Sequence, residues 1–162
     1  MSARSRDLPR RSCLSIPGSS EKMMGKGPGI PADMVFLDLE DAVAPKEKES
    51  SRAKIATAIR TQDWGDKVLC VRVNDWSTKW TAFDIIEVVA GAGERLDEIM
   101  LPKVETAAQI VATDLLLRQV EIANGLPIGH IGIEAQIETA RGLINVEEIC
   151  AASSRLETII FG

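Results

Sequence analysis

Tyrosine is absent from this 162-residue chain, histidine occurs once, and aromatic residues make up only 4%. A lone histidine, His130, leaves no partner for a zinc site and reads as structural. The three cysteines, Cys13, Cys70 and Cys150, lie far apart, with no paired metal spacing. An odd count of that kind points to free thiols in a reducing, cytoplasmic setting. Basic residues are the minority, nineteen against twenty-four acidic ones, and the net charge is −5. Phosphate neutralisation needs a basic face, so nucleic acid is not the expected partner. No apolar run approaches the ~20 residues that cross a bilayer, so no membrane span is expected. There is no P-loop, no nucleophile elbow and no C-x-x-C pair.

What is present is a globular composition, 45% hydrophobic, of one-domain length. Residues 1–11, MSARSRDLPRR, read as a mobile arm. Six apolar runs then read as strands: Cys13–Ile16, Met34–Leu39, Val68–Val73, Glu98–Leu101, Ile131–Ile137 and Leu156–Phe161. Runs apolar on both faces suit a parallel sheet buried on both sides. Helical patterns fall between them. Ser19 and Ser20 offer caps to a short helix through Met24. Pro45 opens a helix carrying Ala53, Ile55, Ala56 and Ile59. Thr81 is placed to cap a helix with Phe83, Ile86 and Val89 on its buried stripe. A longer helix puts Val111, Leu115 and Ile122 on one face and stops at Asn124-Gly125. Asn145 and Glu148 have capping-box spacing and predict a helix start at Asn145. Strands alternating with helices mean right-handed parallel crossovers, in either a doubly wound sheet or a (β/α)8 barrel. Gly18 lacks the second and third glycines of a dinucleotide fingerprint. A barrel ordinarily takes ~250 residues, more than are present.

Polar residues gather at the strand ends: Asp38, Glu40 and Asp41; Arg72 and Asn74; Lys103 and Glu105; Gln136 and Glu138. Ligand sites of parallel α/β folds form there. Each residue also has a plainer reading. Asp38 and Arg72 suit a structural ion pair, Glu105 a first-turn acid, and Lys103 a solvated loop lysine. Trp64, Trp76 and Trp80 read as packing or loop residues. Glu138, after an apolar strand, is well placed for a hard cation. A single carboxylate suits Mg2+, which keeps waters and takes ligands from its substrate.

Five blocks in order carry a resemblance: Arg11–Gly18 (R-S-C-L-S-I-P-G), Leu37–Val43 (L-D-L-E-D-A-V), Val71–Asn74 (V-R-V-N), Leu101–Glu105 (L-P-K-V-E) and Ile137–Gly142 (I-E-T-A-R-G). They resemble the citrate lyase beta subunit and HpcH/HpaI aldolase family, and the long L-D-L-E-D form is more like its CoA-ester branch. The resemblance implies a TIM (β/α)8 barrel of the phosphoenolpyruvate/pyruvate class. Residues 12–162 would supply about its first six strands, and residues 1–11 an arm. It implies Mg2+-dependent carbon–carbon cleavage of a 3-hydroxyacyl-CoA, of citryl-CoA or malyl-CoA type, giving an acyl-CoA and an oxo acid. An aldolase acting on free acids, or a non-catalytic remnant with a binding or assembly role, are the alternatives. By resemblance Glu138 binds the metal, Arg72 the substrate oxygens, and Glu40 orients the site. Lys22 and Lys26 would contact CoA. The family's second metal ligand, an aspartate just after the sixth strand, would fall beyond Gly162, and the chain is expected to be an incomplete form. A homo-oligomer is expected, since unpaired barrel strands leave exposed edges.

The chemistry itself asks for such groups. Cleavage leaves negative charge on a thioester enolate and makes a carbonyl from a hydroxyl. A metal at the hydroxy-acid end, an arginine fork and a proton acceptor meet those needs.

Overall fold

A computed structural model describes residues 7–162 of the chain. In order the elements are β1 (Cys13–Pro17), α1 (Glu21–Met24), β2 (Met34–Asp38), α2 (Lys48–Thr61), β3 (Val68–Arg72), α3 (Thr81–Ala92), β4 (Glu98–Leu101), α4 (Ala107–Ala123), β5 (Gly132–Ile137), α5 (Ala140–Ile144), α6 (Val146–Cys150) and β6 (Leu156–Phe161). The strands form one sheet in the order β1-β2-β3-β4-β5-β6, and every neighbouring pair is parallel. A doubly wound sheet reverses its order at a switch point. This sheet never reverses, so the architecture is the barrel's, with six of its staves described.

Both faces of the central strands β2–β5 are covered, which is why those strands read as apolar runs, while β6 is only half-buried. The outer face packs Val35, Leu37, Leu69, Val71, Ile99 and Ile133 against helix residues such as Ile55, Ile59, Ile85, Val88 and Leu117. The inner face gathers Met34, Val68, Cys70 and Met100, with Leu8, Phe36 and Ile160 against them. Each such aliphatic side chain contributes roughly 1.5–3 kcal/mol on burial. Trp64 is a packing residue, its indole N–H donating to the Ala58 carbonyl at 3.0 Å.

Two helices are rotated from the phase their apolar residues suggest. In α3 the buried stripe is Ile85, Val88, Val89 and Ala92, while Phe83 and Ile86 are exposed. Asp84 sets this rotation. It is fully buried, accepts from Arg52 Nε at 2.7 Å and from Asn74 N and Nδ2 at 3.0 and 2.7 Å, and must face inward. In α4, Val111, Leu115 and Ile122 do share a face, but that face is the outer one; Ile110, Thr113, Leu117 and Val120 are buried. Here Glu121, bound by Arg155 at 2.7 and 2.6 Å, is the buried polar residue that fixes the phase.

Two expected caps are not made. Trp80, not Thr81, stands at the N-cap of α3, and the Thr81 hydroxyl donates to the Asp75 carbonyl. The Asn145–Glu148 box does not form: Asn145 Nδ2 donates to the Glu105 carbonyl at 2.8 Å. Asn145 still stands at the N-cap of α6, as expected, but the helical run opens earlier at α5, capped by Thr139, whose hydroxyl accepts from Gly142 N at 3.1 Å. The described part of the N-terminal arm is docked rather than loose. Leu8 joins the inner cluster, Arg10 bonds Glu98 and Glu157, and Arg11 grips Asp33 at 2.8 and 3.0 Å. The rest of the arm, residues 1–6, lies outside the described residues.

Arg10 enters an acidic neighbourhood on the inner face, made by Glu98, Glu134 and Glu157. Burial pushes the Glu98 carboxyl up to about 8, Glu157 and Glu134 add to the rise, and Arg10 opposes it. Desolvation around the sulfur and the same acids, Glu134 and Glu98, push the Cys13 thiol up to about 12 against Arg10, although the residue still meets solvent, so it is not a reactive thiolate. An acid whose pKa is raised on folding keeps its proton in the folded state after the unfolded chain has lost it. Its stabilising contribution is full below about pH 4.3 and is lost as pH rises towards about 8. We therefore expect urea midpoints to fall across that window and Glu98→Gln to flatten the decline. An equal slope in both proteins would show that Glu98 is ionised throughout.

Candidate active site at the carboxyl ends of the strands

In-register pairing of β2 with β3 places Asp38 beside Arg72. Arg72 Nε donates to Asp38 Oδ1 at 2.8 Å and Nη2 to Oδ2 at 2.7 Å, a two-pronged fork. Asp38 also accepts from the backbone N–H groups of Glu40 and Ala42 at 2.8 and 3.0 Å. Burial by itself would raise this carboxyl; the Arg72 fork and the two N–H groups outweigh it and hold Asp38 below its ordinary value. Asp38 is thus favoured as the anion and orients Arg72. The Phe36 ring lies 5.3 Å from the guanidinium carbon, on the same inner face.

With Nε and Nη2 committed, Arg72 turns Nη1 towards the rest of the site. It lies 3.4 Å from Glu40 Oε2 and 3.5 Å from Gln136 Oε1. Glu40 is buried, and burial shifts its carboxyl upward against the pull of Lys103 and Arg72. Its Oε1 accepts from Lys103 Nζ at 2.6 Å, while Oε2 is buried without a hydrogen bond. Lys103 is therefore no free loop lysine. Its backbone N–H also donates to Glu138 Oε2 at 2.8 Å. Glu138 itself is exposed just past β5. A Cβ on Gly162 would stand only 3.2 Å from Glu138 Cγ, so the close approach there suits glycine.

The structure thus brings Arg72, Glu40, Glu138, Lys103 and Gln136 together. It does not draw in Lys22 or Lys26, which are exposed in the β1–β2 connection. Asn74 turns away to Asp84 and serves the framework. His130 Nε2 lies 2.9 Å from the Glu94 carbonyl, before the start of β5 and so at the opposite end of that strand from Gln136 and Glu138. One contributor had no sequence signal. Lys48 is buried at the start of α2 and donates to the Leu39 and Glu40 carbonyls at 2.8 and 2.7 Å, with the Trp80 ring 5.3 Å away. It pins the L-E-D turn from behind, yet in the sequence it stands in a charged stretch that reads as solvated.

Residues 11–162 match the family described as HpcH/HpaI aldolase/citrate lyase. The chain belongs to that family. It is 44% identical over 154 residues to an L-malyl-CoA/beta-methylmalyl-CoA lyase of Cereibacter sphaeroides, covering 95% of this chain and 48% of the relative. It is 38% identical to a (3S)-malyl-CoA thioesterase of the same organism, over 95% of this chain and 49% of that one. Among solved structures it resembles the protein CitE from Mycobacterium tuberculosis in complex with magnesium and pyruvate. There the identity is 30% and the TM-score 0.69, with 97% of this chain and 55% of that chain covered. The chain spans about half the length of the curated relatives it matches.

The Asp38–Arg72 fork has a direct consequence for stability. Removing one partner of a buried pair strands the other charge, at a cost of about 3–5 kcal/mol. We expect Asp38→Ala to lower the unfolding free energy by about that much in urea titrations. A loss below about 1 kcal/mol would mean the pair behaves as a surface bridge.

Proposed function

We propose that this chain carries a Mg2+-dependent carbon–carbon lyase site for a 3-hydroxyacyl-CoA of malyl-CoA or citryl-CoA type, releasing an acyl-CoA and an oxo acid. The observation that carries the reading is the convergence of Arg72, Glu40, Lys103 and Glu138 at the carboxyl ends of four strands. The names of the relatives support the thioester substrate, since they include a malyl-CoA lyase and a malyl-CoA thioesterase.

The donor chemistry fits magnesium. Glu138 is exposed, one of its oxygens is tied to the Lys103 N–H, and the other makes no hydrogen bond among the described residues. No group of three or more His, Cys, Asp or Glu side chains is arranged for a metal among those residues. A single carboxylate, completed by waters and substrate oxygens, is how Mg2+ is commonly held. When bound, the ion supplies Lewis-acid polarisation at the hydroxy-acid end of the substrate. The remaining steps belong to the side chains. Arg72 presents Nη1 to substrate oxygen and stabilises developing negative charge in a site shielded by Phe36. Glu40 orients the Arg72 and Lys103 head groups, its Oε1 on the lysine and its buried Oε2 3.4 Å from Arg72 Nη1. Lys22 and Lys26 offer positive charge to the CoA phosphates. As the bond breaks, its electron pair passes to the thioester enolate, the hydroxyl gives its proton to a general base and becomes the carbonyl of the oxo acid, and protonation of the enolate carbon gives the acyl-CoA.

The reading extends to assembly and location. β1 and β6 do not pair with one another, and unpaired edges promote association, so we propose a homo-oligomer. Free Cys13, Cys70 and Cys150 support a reducing cytoplasm, and no described helix is long and apolar enough to cross a membrane.

Three measurements test the proposal. In a full-length version, Arg72→Lys keeps the charge and loses the fork, and should raise the activation free energy of malyl-CoA or citryl-CoA cleavage by about 2–4 kcal/mol. Unchanged turnover would leave Arg72 a framework residue, and cleavage of free hydroxy acids with thioesters untouched would favour the aldolase alternative. Calorimetry of this chain with Mg2+ should show weak binding that Glu138→Ala removes. Micromolar binding retained in that variant would move the metal to Glu40 or Asp41. Sedimentation should show association, and a stable monomer at micromolar concentration would overturn the oligomer.

A further inference from the structure

Lys103 is the non-glycine residue with a left-handed backbone among those described, at φ 51°. Glycine adopts that conformation freely, whereas a side chain is strained there. Strain of this kind persists when surrounding contacts over-determine it, and it concentrates at functional sites. The contacts here are specific. The turn after β4 aims the Lys103 N–H at Glu138 Oε2, at 2.8 Å, and sends the ammonium across Arg72 to Glu40 Oε1, at 2.6 Å. The next residue, Val104, bonds the Gln136 carbonyl at 3.0 Å, so the turn is locked onto β5 on its far side.

The effect on Glu138 is to divide its two oxygens. Oε2 is occupied by a charge-assisted bond, and Oε1 is left towards Gly162, 3.4 Å from where a Cβ on that glycine would lie. A carboxylate held this way offers a cation Oε1 first, because Oε2 already gives a lone pair to the Lys103 N–H. Calcium takes six to eight oxygens in flexible geometry and accepts carboxylates through both, whereas magnesium takes an octahedron at about 2.0–2.1 Å and few protein ligands. We infer that Lys103 is a positioning residue whose left-handed turn makes Glu138 a one-oxygen ligand, and so selects a small octahedral cation, Mg2+ or Mn2+, over Ca2+. The inference rests on the reading of Glu138 as the metal ligand.

The test uses Mn2+ as the probe, followed by electron paramagnetic resonance on the 162-residue chain, with Mg2+ and Ca2+ as competitors. Lys103→Gly keeps both the N–H and the left-handed turn, and should hold Mn2+ affinity and the preference over Ca2+. Lys103→Val makes the turn unfavourable, should weaken Mn2+ about 10–100-fold, as loss of an outer partner to a metal ligand does, and should weaken Ca2+ less. Equal Mn2+ affinity and equal preference in the Val variant and the wild type would overturn the inference. Glu138→Gln separates the two layers. If it abolishes Mn2+ binding while Lys103→Val changes nothing, the ligand stands and the positioning role fails. If it leaves binding unchanged, the ligand assignment itself fails, and the inference with it. Should Lys103→Val not fold, the Lys103 amide proton gives an independent readout. It should resonate downfield in the wild type, stay there on addition of Mg2+, and move upfield in Glu138→Gln. An amide indifferent to that substitution would overturn the inference equally.

Discussion

The two-pronged bond between Arg72 and Asp38 is the contact on which the site depends. It spans the β2–β3 seam where the register sets the two residues side by side. A guanidinium this deeply placed needs a partner, because an unpaired charge there would be far more costly than the pair. The planar fork uses two prongs for Asp38 and leaves the Nη1 edge fixed in direction. Everything beyond it is arranged relative to that edge. Glu40 and Gln136 flank it, Lys103 ties Glu40 to the β4 end, and the Lys103 backbone ties Glu138 to the same turn. Lys48 holds the Glu40 carbonyl from the helix side. The charges thus form one connected path across the ends of β2, β3, β4 and β5, not four separate strand-end residues.

That path also shows what the amino-acid sequence discloses and what it withholds. All six strands were legible, because strands of a covered parallel sheet read as largely apolar runs. The clustering of charge at their ends was legible for the same reason: polar residues beside uninterrupted apolar runs stand out. The choice between doubly wound sheet and barrel was not open to pattern alone, since the two differ only in strand order. Helix phase failed where a buried polar residue outranked apolar ones. Phe83 and Ile86 make as good a stripe as Ile85 and Val88 until Asp84 is seen to need Arg52 and Asn74. Val111, Leu115 and Ile122 mislead in the same way, with Glu121 and Arg155 deciding the rotation.

Local rules were likewise overridden by distant partners. Asn145 has the spacing of a cap, yet its amide satisfies the Glu105 carbonyl forty residues earlier. Lys103 looks like any lysine after Pro102, because a left-handed φ at a non-glycine residue leaves no mark in the sequence. Lys48 is hidden for a related reason: its role is set by two carbonyls that the L-E-D turn leaves without sheet partners.

Three buried acids show how the same residue chemistry is sorted into different duties. Asp38 receives four donors and is held low, so it stays an anion and keeps Arg72 in place. Glu98, at the opposite end of the sheet, shares Arg10 with Glu157, has Glu134 nearby and is pushed up to about 8. Burial is severe for both, so burial does not separate them; the number of donors and the sign of the neighbours do. Glu40 lies between these limits. Lys103 holds one oxygen, Arg72 reaches towards the other without a full bond, and the carboxyl shifts upward. An acid with four donors is held as an anion, and an acid among acids is driven towards its neutral form. Glu40, with a lysine on one oxygen and a guanidinium 3.4 Å from the other, couples the ends of β2, β3 and β4.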